Sequence, residues 1–158
     1  MRKRIINPLP QSPLPPDEVW LQLGEIAQVE ITSEDSSRPV EGALLPGSQS
    51  GWRAAHPGEQ TLRIVFDEPA RIRRIRLVFI ETERERAQEF VLRWSPDGGR
   101  SFREIVRQQW NFSPPDTTRE LEDYQVELAG VTSLELSIVP DKSGGDARAS
   151  LAQFRLGS

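Results

Sequence analysis

Glu89-Phe90-Val91-Leu92-Arg93-Trp94-Ser95-Pro96-Asp97-Gly98-Gly99-Arg100-Ser101-Phe102 decides the architecture of this 158-residue chain. Phe90, Leu92 and Trp94 alternate with Glu89, Val91 and Arg93, the period of a strand with one face on a core. Pro96-Asp97-Gly98-Gly99 then turns the chain, because glycine reaches positive φ without steric cost. Phe102 returns an aromatic ring after the turn, expected to face Phe90 or Trp94 across the hairpin.

The same period recurs on both sides of this hairpin. Segments 26–32, 60–66, 72–80, 101–109, 121–128, 132–139 and 149–156 read as further strands, making about eight with 89–95. Leu62, Ile64 and Phe66 mark one face of the second segment, which Asp67-Glu68-Pro69 closes. Glu81-Thr82-Glu83-Arg84-Glu85-Arg86-Ala87-Gln88 is polar all round and reads as an exposed turn. Many short strands without intervening helices point to an all-β sandwich or barrel.

Composition narrows the chemistry. Without cysteine, disulfides, thiolate metal sites and thiol nucleophiles are excluded, and a single histidine, His56, excludes a site built from two imidazoles. A net charge of −4 disfavours broad attraction to nucleic acid or anionic lipid. No apolar run approaches the roughly 20 residues of a membrane span. Met1-Arg2-Lys3-Arg4-Ile5-Ile6 is basic, but Asn7-Pro8 ends the apolar stretch before it becomes a signal sequence, so a cytoplasmic location is expected. Residues 7–16 carry five of the 13 prolines, which predicts an extended N-terminal arm over 1–20 ahead of a single domain over 21–158. Asp17-Glu18-Val19-Trp20-Leu21 predicts one helical turn at the junction.

The order of motifs carries a resemblance. Gly51-Trp52-Arg53-Ala54-Ala55 precedes Gln60-Thr61-Leu62-Arg63-Ile64-Val65-Phe66-Asp67 and then Ile72-Arg73-Arg74-Ile75-Arg76-Leu77. The Ser-x-Asp-Gly turn at 95–98 follows, with Phe102 beyond it, and Ala149-Ser150-Leu151-Ala152-Gln153-Phe154-Arg155-Leu156 closes the series. Over roughly residues 25–157 this resembles the discoidin, or coagulation-factor C-type, domain of the galactose-binding-like superfamily. The resemblance implies a jelly-roll β-sandwich of about eight antiparallel strands, with any ligand site among loops at one end. Members bind sugars, phospholipid headgroups, collagen or other proteins, and a DNA-repair scaffold domain of the superfamily binds a polymerase. Many relatives also hold a structural calcium in the loop before the tryptophan. Here that loop is Pro46-Gly47-Ser48-Gln49-Ser50-Gly51, without an acid, and only Glu34 and Asp35 stand nearby in the sequence. Calcium prefers several oxygen ligands with carboxylates among them, so it is disfavoured, and no other cofactor or metal is expected.

The segment most suggestive of a ligand site is Arg107-Gln108-Gln109-Trp110-Asn111-Phe112, read as leaving a strand for the loop Ser113-Pro114-Pro115-Asp116. An aromatic face with amides and a cation around it is how a sugar ring is held. The alternative is that Trp110 and Phe112 plug one end of the sandwich. Arg71, Arg73, Arg74, Arg76, Arg84 and Arg86 form a basic cluster, but Glu81, Glu83, Glu85 and Glu89 follow and predict a salt-bridged surface. His56 lacks a Gly-x-Ser-x-Gly companion, so no catalytic residue is assigned. The expectation is a non-catalytic binding module for carbohydrate, with a cytoplasmic protein-interaction scaffold as the alternative. A homodimer through an exposed sheet face stays open.

Overall fold

Alternation along the chain builds strands, and two of them run much further than their local pattern predicts. The computed structural model describes residues 20–47 and 50–158. The described order is α1 (Leu23–Ile26), β1 (Ala27–Ile31), α2 (Glu41–Leu44), β2 (Trp52–Pro57), β3 (Gln60–Ile80), β4 (Arg86–Ser95), β5 (Arg103–Phe112), β6 (Arg119–Val139), β7 (Arg148–Leu151) and β8 (Gln153–Gly157). The proline-rich stretch and most of the expected 17–21 turn lie outside the described residues.

β3 and β6 are each 21 residues long and antiparallel to one another. Segments 60–66 and 72–80 are therefore one strand, as are 121–128 and 132–139. Asp67-Glu68-Pro69 does not end β3, because register shifts between Val65 and Arg74 absorb the proline as a bulged bend. The first half of β3 pairs with β1 and with the second half of β6. Its second half pairs with β8 and with the first half of β6. Both strands thereby pass from one layer of the sandwich to the other. β4 adds to the second half of β6, and β5 forms the edge beyond it.

The bulges also set the core. The shift between Ile72 and Arg74 resets the alternation, so Ile72 and Ile75 both face inward with 0% exposure. Phe79 from the second half of β3 stacks on Phe90 of β4 with ring centroids 5.3 Å apart, joining the two layers. Leu62, Ile64, Leu92, Leu134, Leu136, Phe154 and Leu156 complete a continuous apolar interior.

Four local expectations change. Segment 149–156 is two strands: β7 pairs with β2, an element the alternation did not reveal, whereas β8 pairs with β3. Arg86–Gln88 belongs to β4 rather than to an exposed turn. Arg86 and Gln88 are buried because Arg86 donates to Glu81, Gln88 and the Pro140 carbonyl while lying over the Phe112 ring. Phe102 is half-buried beneath the Arg63 guanidinium, while the ring of Phe90 is stacked by Phe79 and that of Trp94 is covered by Arg103. Trp20, at the end of the expected arm, is buried under Arg74 and Arg76, whose guanidiniums lie 5.0 and 5.5 Å from its ring.

The basic cluster is neutralised, mostly across the ladder. Arg71 and Arg73 pair with Glu127, Arg74 and Arg76 with Asp123, and Arg84 with Asp146; only Arg86 uses an acid of the following run, Glu81.

Candidate functional site

The residues expected to form a loop platform lie on a strand. β5 continues through Phe112 in register with β4, Phe112 opposite Arg86 and Trp110 opposite Gln88, and the proline loop begins only at Ser113. Alternation then divides the six residues. Gln108, Trp110 and Phe112 share the face that includes the buried Phe90 and Gln88 on β4. Phe112 is fully buried, and Trp110 packs against the core with its indole N–H enclosed. Arg107, Gln109 and Asn111 are exposed on the opposite face, where Arg107 is tied to Glu89 and Glu104. Gln108 is exposed on the side of the two aromatics, and Gln109 and Asn111 lie on the other, so the six residues are divided between two faces of one strand.

A cleft of about 1040 Å³ lies elsewhere, at the β2–β7 ladder. Its floor is the outward face of that ladder, where Arg53 pairs with Ser150 and Arg148 with Pro57, while Trp52, Ala149 and Leu151 point into the core. One wall is the turn at Asp35–Arg38. The Asp35 N–H donates to the Arg53 carbonyl at 2.8 Å, and the Arg53 N–H donates to the Arg38 carbonyl at 3.1 Å. Asp35 accepts from the Ser37 N–H at 2.9 Å and its hydroxyl at 2.8 Å, an Asx turn. These two bonds, with Arg148 and Arg53 nearby, hold the Asp35 carboxyl below the usual carboxylate range. The opposite wall is the 80–84 segment, where Ile80 remains 47% exposed and Arg84 closes onto Asp146 at 2.8 Å. Burial acts to raise the Glu81 carboxyl there, but the Glu83 and Arg84 N–H groups and the Arg86 guanidinium outweigh it and keep the group ionised.

The third wall, Ser50-Gly51, is held by glycines and one arginine. Gly51 adopts φ +72°, and its amide donates to the Gly42 carbonyl at 3.2 Å. A Cβ on Gly42 would stand 2.6 Å from the Gly51 carbonyl oxygen, so only glycine lets α2 approach this loop so closely. Arg38 donates to the Ser50 carbonyl at 3.0 Å. Beneath them Arg155 of β8 is 3% exposed and donates to the carbonyls of Ala43 at 2.6 Å and Leu45 at 3.1 Å.

That guanidinium bears on the calcium raised by the sequence resemblance. Calcium would need converging oxygens around the loop before Trp52. There, the Ala43 and Leu45 carbonyls already receive a buried cation. Glu34 accepts from the Val40 N–H, and Asp35 is engaged by Ser37. No group of three or more acids or histidines gathers among the described residues. Among the described residues, the donor set does not fit a calcium ion. His56 is exposed on β2, and the Ser95-Asp97 turn is closed by its own hydrogen bonds to Gly99 and Ser101.

Arg53, Arg148 and Ser150 are not marked as site residues by the sequence, and Asp35 stands out only as an acid near the calcium loop, because an alternating pattern does not mark which outward side chains converge. The one available signal was Trp52-Arg53, a buried anchor followed by an outward cation.

No family model matches the chain, and no curated protein matches it in sequence. Solved structures do. The chain is similar to the family 32 carbohydrate-binding module of NanJ from C. perfringens, solved in complex with galactose. The TM-score is 0.66 at 12% identity, covering 89% of this chain and 98% of that one. It is also similar to the family 32 module of AlyQ in complex with 4,5-unsaturated mannuronic acid, with TM-score 0.60, 14% identity and 83% and 94% coverage. A pectin-binding carbohydrate-binding module gives TM-score 0.59 at 19% identity, over 84% and 91%. The chain has the eight-stranded β-sandwich fold of the family 32 carbohydrate-binding modules.

Proposed function

We propose that this chain is a carbohydrate-binding module and that its sugar sits in the cleft between the Asp35–Arg38 turn, the β2–β7 ladder and the 80–84 segment. The observation that carries the reading is the make-up of that cleft. Hydroxyls, the guanidiniums of Arg38, Arg53, Arg84 and Arg148 and the carboxylates of Asp35, Glu81, Glu83 and Asp146 line a two-stranded floor and its walls, with the exposed aliphatic side chain of Ile80 beside them. A sugar needs donors and acceptors in fixed positions for its hydroxyls and an apolar patch for a C–H face. Three modules of the same fold bind galactose, an unsaturated mannuronic acid and pectin, which supports the ligand class for this chain.

The reading moves the site from β5 to the loop-walled cleft. A glycan array followed by titration calorimetry tests it. Ser150→Trp, which fills the cleft from an outward-facing floor position, is expected to abolish binding without lowering the melting temperature. Loss of binding in Gln108→Ala or Gln109→Ala instead would return the site to β5. Silence across the array would overturn the reading.

A further inference from the structure

Eighteen of the twenty basic residues are arginine. Most of those described are committed to partners within the fold. Arg63, Arg71, Arg73, Arg74, Arg76, Arg84, Arg86, Arg93 and Arg107 close ion pairs, and Arg103 lies over Trp94. Within the cleft, Arg38 is fixed to the Ser50 carbonyl and Arg84 to Asp146. Arg53 and Arg148 differ. Both are exposed, and among the described residues neither side chain has a hydrogen bond, an ion pair or a ring contact.

Their placement is not scattered. Arg53 lies opposite Ser150 and Arg148 opposite Pro57, so Arg53, Ser150 and Arg148 share the outward face of one ladder. The carboxylate whose ionisation they favour, Asp35, already accepts two hydrogen bonds from Ser37. Two guanidiniums thus line one cleft from the same ladder face, and among the described residues their donor forks are unspent. A planar carboxylate matches such a fork in bidentate fashion, better than it would match an ammonium. Ile80 offers the apolar contact for the ring that carries the acid.

We infer that the cleft selects an acidic sugar, a uronate whose carboxylate is received by Arg53 and Arg148. This rests on the carbohydrate reading above and deepens it. Among the acids lining the cleft, Asp35 is engaged by Ser37, Glu81 by Arg86 and Asp146 by Arg84, and none closes an ion pair with Arg53 or Arg148; a uronate carboxylate supplies that pair through charge-assisted hydrogen bonds, which neutral hydroxyls do not.

The test compares four probes by calorimetry: an oligogalacturonate, the same oligomer methyl-esterified, a neutral galactan oligomer and a sulfated galactan oligomer. At low salt the acid is expected to bind about tenfold more tightly than its ester, about 1.4 kcal/mol. The gap should narrow as salt screens the charges. Arg53→Gln and Arg148→Gln should each bring the acid-to-ester affinity ratio towards one. Both positions are exposed, so an unchanged melting temperature certifies the fold of each variant. Equal binding of acid and ester, or a preference that survives both substitutions, overturns the inference and leaves the carbohydrate reading standing. Tighter binding of a sulfated galactan than of oligogalacturonate overturns the carboxylate assignment. Absence of binding to all probes, with no ligand on the array, sinks both.

Discussion

The Arg155 guanidinium donates at 2.6 Å to the Ala43 carbonyl, 112 positions earlier in the chain. The contact ties β8, at the end of the sequence, to the short helix α2 that supports the Ser50-Gly51 wall of the cleft. Replacing Arg155 by Met keeps the length and apolar stem but leaves the Ala43 and Leu45 carbonyls without their donor. The expected cost is about 3 kcal/mol, since a buried acceptor loses a charged partner and gains no water. Denaturant melts measure it. Because this cation is part of the chain, neither added calcium nor a chelator should move the wild-type midpoint, and a midpoint that rises with calcium would contradict the assignment.

Glu120 is fully buried and accepts from the Gln88 side-chain amide at 3.1 Å. Burial first, then the neighbouring Glu122 carboxylate, pushes its carboxyl up to about 8. The folded state therefore keeps a proton there that the unfolded chain releases near the ordinary carboxylate value. Stability from this group is fully present below about pH 4.5, declines as pH rises, and is lost through about pH 8 at no more than about 1.4 kcal/mol per unit. Glu120→Gln holds the neutral form permanently. It should match wild type near pH 5, exceed it near pH 9, and flatten the slope between; parallel melting curves across that range would count against the buried proton.

Trp110 lies on the inward face of β5, half-buried against the core. Its truncation to Ala removes an aromatic ring from the edge of the interior, and about 2–4 kcal/mol of stability should go with it. Affinity for sugar, measured on the folded fraction, should stay at the wild-type value. The opposite outcome, unchanged stability with binding lost, would restore β5 as the binding surface.

Much of the sandwich was legible in the chain, because its strands have one buried face and so alternate. Leu62, Ile64 and Phe66, or Phe90 and Leu92, announce both strand and core. What stayed hidden depends on bends and on partners. The Asp67-Glu68-Pro69 stretch reads as a terminator, yet register shifts let β3 pass through it. The polar run 81–88 reads as solvent-facing, yet Arg86 and Gln88 are buried because acceptors from distant segments satisfy them. The candidate site follows the same logic. Arg53 and Arg148 are far apart in the chain and come to one face only through the β2–β7 pairing, whereas Trp110 and Asn111, adjacent in sequence, point to opposite faces.

Two glycines of the loop before Trp52 separate backbone strain from cleft geometry. Gly47 and Gly51 both have positive φ, +82° and +72°. An added Cβ at Gly47 meets nothing within 4 Å, whereas at Gly51 it would stand 3.1 Å from the Leu151 carbonyl oxygen. Gly47→Ala should therefore cost only the left-handed backbone penalty, about 1 kcal/mol, and leave sugar affinity unchanged. Gly51→Ala should cost more, about 2–3 kcal/mol, because the loop backbone must also move away from β7. That movement displaces the Ser50 carbonyl that anchors Arg38, so binding should weaken in Gly51→Ala alone. Paired melts and titrations of the two variants decide the point: equal losses of affinity in both would show that the 50–51 wall does not shape the site.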